Sequence, residues 1–119
     1  MRDLIFRGKT VQDGVWIISD SIIQQSNGKV YLYDEVKDID VEVNPDTVGQ
    51  FTGLTDKNGV NIFEGDIVDI HYNDTVIENA IITYIGASFY GVDDNDCWEL
   101  DDYVSLEIIG NIHDDKDLL

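Results

Sequence analysis

From Asp38 onward the chain alternates, with Ile39, Val41 and Val43 on one side and Asp38, Asp40 and Glu42 on the other. That two-residue repeat predicts a strand with one buried face. Leu4 and Phe6 alternate in the same way with Asp3, Ile5 and Arg7. The runs Val15-Trp16-Ile17-Ile18 and Ile22-Ile23 are β-branched and aromatic without a 3.6-residue period, so they also read as strand. Further along, Val68, Ile70 and Tyr72 share a face, residues 76–85 return as a long antiparallel partner, and residues 86–92, Trp98 with Leu100, and residues 106–112 complete the series.

Turn chemistry separates these runs. Asn27-Gly28 predicts a two-residue type I′ loop, because both central residues of that turn take positive φ; it sets Gln25 opposite Val30 and Ile23 opposite Leu32. Asp56-Lys57-Asn58-Gly59 predicts a second hairpin and Asn73-Asp74 a third. Asn44-Pro45-Asp46-Thr47 predicts a single helical turn, since Asn caps and Pro fits the first turn. Short strands at these spacings point to a mainly β protein with little helix. The expected organisation is an N-terminal β-hairpin lobe over residues 1–47 and a small barrel or sandwich over residues 48–119, with a soft boundary and no linker between them, the alternative being one compact unit.

Composition narrows the function. At 119 residues and 43% hydrophobic content, the chain is expected to fold despite a formal charge of −18 from 25 acidic and 7 basic residues. Such a charge repels phosphates and anionic lipid heads, so direct nucleic-acid or membrane binding is not expected. Cys97 is the sole cysteine, no apolar run reaches the roughly 20 residues that span a bilayer, and no signal peptide is recognisable. A cytoplasmic location follows as the expectation. Arg2, Arg7 and Lys9 read as surface ion-pair partners.

Candidate chemistry is sparse. Glu64 and Asp66 flank a glycine, but Glu-Gly-Asp before an apolar strand is turn chemistry rather than an acid/base pair. The run Asp93-Asp94-Asn95-Asp96-Cys97-Trp98-Glu99 lacks the ligand spacing and glycine of a calcium loop, and Asp56-Lys57-Asn58-Gly59 fails likewise. His71 and His113 have no partner at zinc spacing, and Cys97 lies among acids that disfavour a thiolate. No catalytic residue, cofactor or metal is therefore expected, and the protein reads as non-enzymatic.

The expected working surface is acidic: Asp38, Asp40 and Glu42; Asp93, Asp94 and Asp96; Asp101 and Asp102; and Asp114, Asp115 and Asp117. These suit a protein partner that is basic or itself binds nucleic acid. Charge mimicry of DNA demands several such segments together, since same-face carboxylates on one strand recur every ~6.7 Å against one charge per ~1.7 Å of duplex axis. Ile39, Val41 and Val43 with Tyr31 and Tyr33 are either core or a face for homo-oligomerisation. The alternative function is a small ligand-binding or regulatory module with Trp98 lining an aromatic pocket.

Three blocks carry a family resemblance: Ile5-Phe6-Arg7-Gly8; residues 43–68, which include Thr47-Val48-Gly49-Gln50-Phe51-Thr52-Gly53-Leu54 and Glu64-Gly65-Asp66-Ile67-Val68; and Ile109-Gly110-Asn111-Ile112-His113. In order and spacing the chain resembles the YopX-like proteins of bacteriophages and prophages. The resemblance implies a mostly β fold whose C-terminal part is an SH3-like barrel, in a phage-encoded protein. It supplies no catalytic residues. Residues 9–42 and 85–104 lie outside the shared phrases.

Overall fold

The computed structural model describes residues 4–100 and 104–119. Among the described residues, twelve strands and two short 3-10 turns make the protein mainly β. The chain divides into two compact units, Met1–Phe51 and Thr52–Leu119. Among the described residues no helix is long and apolar enough to cross a membrane.

The first unit contains β1 (Phe6–Lys9), β2 (Trp16–Ser19), β3 (Ile22–Gln24), β4 (Val30–Asp34) and β5 (Ile39–Val43). Its core is Val30, Leu32 and Val43, against which Phe6, Ile17, Ile22 and Val48 pack. β1 pairs with β2, and β3, β4 and β5 form a separate antiparallel sheet. Gly8 permits the close packing, because a Cβ there would stand 3.2 Å from Val43. The predicted helical turn is the 3-10 turn Pro45–Thr47, capped by Asn44, whose side chain accepts from the Asp46 N–H at 3.0 Å.

The first hairpin differs from its predicted register. Ile22 lies opposite Leu32, Ile23 opposite Tyr31 and Gln24 opposite Val30. The Gln25 N–H donates to Lys29 O and the Gly28 N–H to Gln25 O, so the loop has three residues. Gly28 takes φ +90 while Asn27 is not in the positive region, which makes a type I turn followed by a left-handed glycine. A slip of one residue exchanges the faces of a strand. Ile23 is accordingly 41% exposed.

β6 (Gly49–Thr55) starts in the first unit, where it pairs with β1, and runs on into the second. The second unit continues with β7 (Asn61–Phe63), β8 (Asp66–Tyr72), β9 (Thr75–Ile85), β10 (Ser88–Val92), β11 (Cys97–Glu99) and β12 (Ser105–Asn111). The last five form an antiparallel sheet in the order β11-β10-β9-β8-β12, curled into a half-barrel. Two bulges explain the curl. Val68 faces Ala80 but Ile70 faces Ile77, which leaves Glu78-Asn79 as the bulge, and Ile109 is the extra residue opposite Ile67 and Val68. Each bulge bends its strand and increases twist. The enclosed core is Ile62, Val68, Ile70, Ala80, Ile82, Phe89 and Leu106, with Trp98 packed against it.

The Asp56-Lys57-Asn58-Gly59 loop repeats the first hairpin's geometry: the Asp56 N–H donates to Val60 O, the Gly59 N–H to Asp56 O, and Gly59 takes φ +81. It also attaches to β12. The Asp56 carboxylate accepts from the N–H groups of Asn58 at 2.8 Å, Val60 at 3.0 Å and Ile108 at 3.3 Å, while the Lys57 N–H donates to Leu106 O. One carboxylate thereby shapes a turn and occupies the open edge of the last strand.

Candidate interaction surface

Strand register decides which side chains share a surface. On β4 and β5, Tyr31 lies opposite Glu42 and Tyr33 opposite Asp40, whereas Leu32 lies opposite Val41. Successive side chains point to opposite sides. Tyr31, Tyr33, Asp40 and Glu42 thus share the outer side of the sheet, joined by Ile23 opposite Tyr31. The expected grouping of Tyr31 and Tyr33 with Ile39, Val41 and Val43 is corrected, because those three project to the opposite side. There Val43 is fully buried, Val41 is half-buried, and Ile39 at the strand end is 53% exposed.

The expected trio Asp38, Asp40 and Glu42 also changes. Asp38 precedes β5 in a turn at φ +56, so only Asp40 and Glu42 occupy the strand face. The Asp38 carboxylate instead accepts from the Tyr33 hydroxyl, which holds that phenol above its ordinary pKa; partial desolvation and the charges of Glu35, Asp40 and Asp34 act in the same direction. Lys29 and Lys37 flank this hairpin, against the five carboxylates of Asp34, Glu35, Asp38, Asp40 and Glu42.

In the second unit the acidic loop is held by its own side chains. Asp93 accepts from the Asn95 N–H at 2.8 Å and the Asp96 N–H at 2.9 Å, and Asp96 accepts from the Cys97 N–H at 2.8 Å. Asp93 and Asp94 line a cleft of about 410 Å³ together with Glu78, over an apolar lining of Ile81, Val92 and Leu119. The carboxyl-terminal turn Lys116–Leu118 is fastened there by the Asn79 side-chain amide, which donates to Leu118 O at 3.0 Å. Glu78, Asn79 and Leu119 were not among the expected site residues. The signal for Glu78 and Asn79 is that this polar pair interrupts the apolar run of residues 76–82, where the bulge falls; nothing in the sequence marks Leu119.

The tail carboxylates do not act as one group. Asp115 is half-buried and accepts from the Asn111 N–H at 3.0 Å; Asp114 is exposed and accepts from the Asn111 side-chain amide at 3.1 Å; Asp117 is exposed. Asp115 therefore fastens a turn, which corrects its expected place on the surface. Asp101 and Asp102 lie outside the described residues, as does Arg2. Arg7 and Lys9 stand 4.7 and 5.5 Å from the Trp16 ring centre, a cation–π arrangement that ion pairing alone did not suggest.

The residues weighed for chemistry are dispersed. Asp66 is buried and accepts from the Phe63 N–H at 2.8 Å, closing the turn at Gly65, whose φ is +93. Cys97 is exposed on the edge strand β11, and two strands separate it from His71 on β8. His71 approaches Glu107 at 3.8 Å, and Glu107 also meets Lys57 at 3.2 Å. Trp98 packs on the core, and the cleft lining does not include it.

Among curated proteins, none matches the chain. The family model described as "YopX protein" matches residues 6–119, nearly the whole sequence, and the chain belongs to that family.

Proposed function

We propose that this chain is a non-enzymatic, acidic interaction protein of a phage or prophage, acting in the bacterial cytoplasm on a protein partner that is basic or binds nucleic acid. The observation that carries this reading is the outward placement of carboxylates in both units: Asp40 with Glu42 on one sheet face, and Asp93 with Asp94 along a cleft. Desolvated acids such as Asp56 and Asp66 are instead bonded to backbone N–H groups, where they serve the fold. We read the curled five-stranded sheet as the SH3-like element, a platform that displays the acidic loop and tail.

Binding of such a partner is electrostatically steered and falls as salt rises. The test is affinity capture on the immobilised full chain from bacterial lysate at low and high salt. Recovery of a nucleic-acid-binding protein at low salt and its loss at high salt is the expected result; recovery of nothing basic under either condition overturns the reading. Self-association is a second reading, favoured by the 53% exposure of Ile39 at the end of β5. Light scattering that finds only monomer at high micromolar concentration removes it.

A further inference from the structure

The outer side of the β3-β4-β5 sheet carries a repeat. Tyr31 stands opposite Glu42, and two residues along the strand Tyr33 stands opposite Asp40. Cross-strand neighbours place their Cβ atoms about 4.5–5.5 Å apart, so each tyrosine has an acidic residue as its neighbour on the same face. The two pairs are ~6.7 Å apart along the strand.

A ring beside a carboxylate is the combination a guanidinium exploits, because it stacks on the aromatic face while its planar fork donates to the acid. The ~6.7 Å step is also the spacing of side chains i and i+2 in an extended peptide. Ile23, opposite Tyr31 and 41% exposed, adds apolar surface for the methylene stem of an arginine. The hydroxyl of Tyr33 is tied to Asp38, which orients one of the two rings.

We infer that this sheet face docks an extended protein segment carrying arginines at alternate positions, Arg-x-Arg, one guanidinium on Tyr31 and Glu42 and the next on Tyr33 and Asp40. The inference rests on the reading of the chain as a binder of basic proteins and adds the face, the residue type and the spacing. Charge complementarity selects the occupant: Asp34, Glu35, Asp38, Asp40 and Glu42 outnumber Lys29 and Lys37 around the hairpin, so an acidic segment is repelled. Lysines at the same spacing retain the charge and lose the planar stacking and fork. Adjacent arginines project to opposite sides of an extended chain, and only one reaches the face.

The test titrates the full chain with three glycine-serine peptides bearing Arg-x-Arg, Arg-Arg or Lys-x-Lys, followed by calorimetry and by amide NMR shifts. Arg-x-Arg is expected to bind about fivefold more tightly than either other peptide and to shift the β4 and β5 amides. Asp40→Asn with Glu42→Gln should remove most of that binding. Tyr31→Leu with Tyr33→Leu should erase the preference for arginine over lysine. Asp20→Asn with Asp74→Asn, both exposed and outside β3, β4 and β5, should leave both unchanged. Equal affinity for the three peptides overturns the inference, and so does an equal loss in the Asp20 and Asp74 variant. If the tyrosine variant fails to fold, the isosteric pair of Asp40, which is exposed, and Glu42, which is half-buried, still decides. Capture of the basic protein by Asp40→Asn, Glu42→Gln chain at the wild-type level refutes this face while the broader reading stands; loss of capture by wild-type chain itself refutes the broader reading.

Discussion

Asp56 shows how much one side chain can hold together. Its carboxylate serves three N–H groups, two in its own turn and one on β12, so its removal leaves donors in a partly dry site. Asp56→Ala is expected to cost about 1–3 kcal/mol in urea unfolding. Desolvation works to raise its pKa, but the Val60, Asn58 and Ile108 N–H groups, with Lys57 nearby, outweigh it and hold the carboxyl below its ordinary value. A depressed folded pKa means the stabilisation is complete above the unfolded value, about 3.9, and is lost as pH falls through the folded one. The gap in unfolding midpoint between wild type and Asp56→Asn should therefore be wide at neutral pH and narrow in acid. A gap of constant width would show that the charge of Asp56 is not the source.

At the level of elements, the first hairpin makes a sharp contrast available. Leu32 is fully buried in a small core, whereas Ile23, its expected cross-strand neighbour, lies on the outer side. Leu32→Ala is expected to cost about 2–5 kcal/mol, and Ile23→Ala within about 0.5 kcal/mol, read from denaturant midpoints. Comparable losses would restore the two-residue loop and its register. The strands, the capped Pro45–Thr47 turn and the hairpins were legible because their signals are local: alternation, a lone proline after asparagine, Asn-Gly. Register was not legible at this hairpin, because Ile22 and Ile23 are both apolar and either could face inward. The side taken by Tyr31 and Tyr33 depends instead on the β4–β5 register, and no two-residue turn signal between those strands sets it. Asp115 was misread for a different cause: nothing in its acidic neighbourhood reveals that the Asn111 N–H needs an acceptor.

For the whole molecule, the charge of −18 sets opposite salt responses for folding and for binding. In dilute buffer the carboxylates repel one another over a Debye length of about 30 Å at 0.01 M salt, which shortens to about 8 Å at 0.15 M. Self-repulsion destabilises a compact state, so the thermal midpoint of the free protein should rise by several degrees across that interval in calorimetry. A complex held by attraction between these carboxylates and a basic partner weakens over the same interval. The two signs make salt decisive: if high salt releases a captured partner while raising the thermal midpoint, the release comes from screening of the interface and not from unfolding. A midpoint that falls with salt would instead mean that favourable pairs such as Lys57 with Glu107 outweigh the net repulsion. Salt-sensitive capture would then no longer count as evidence for an acidic binding face.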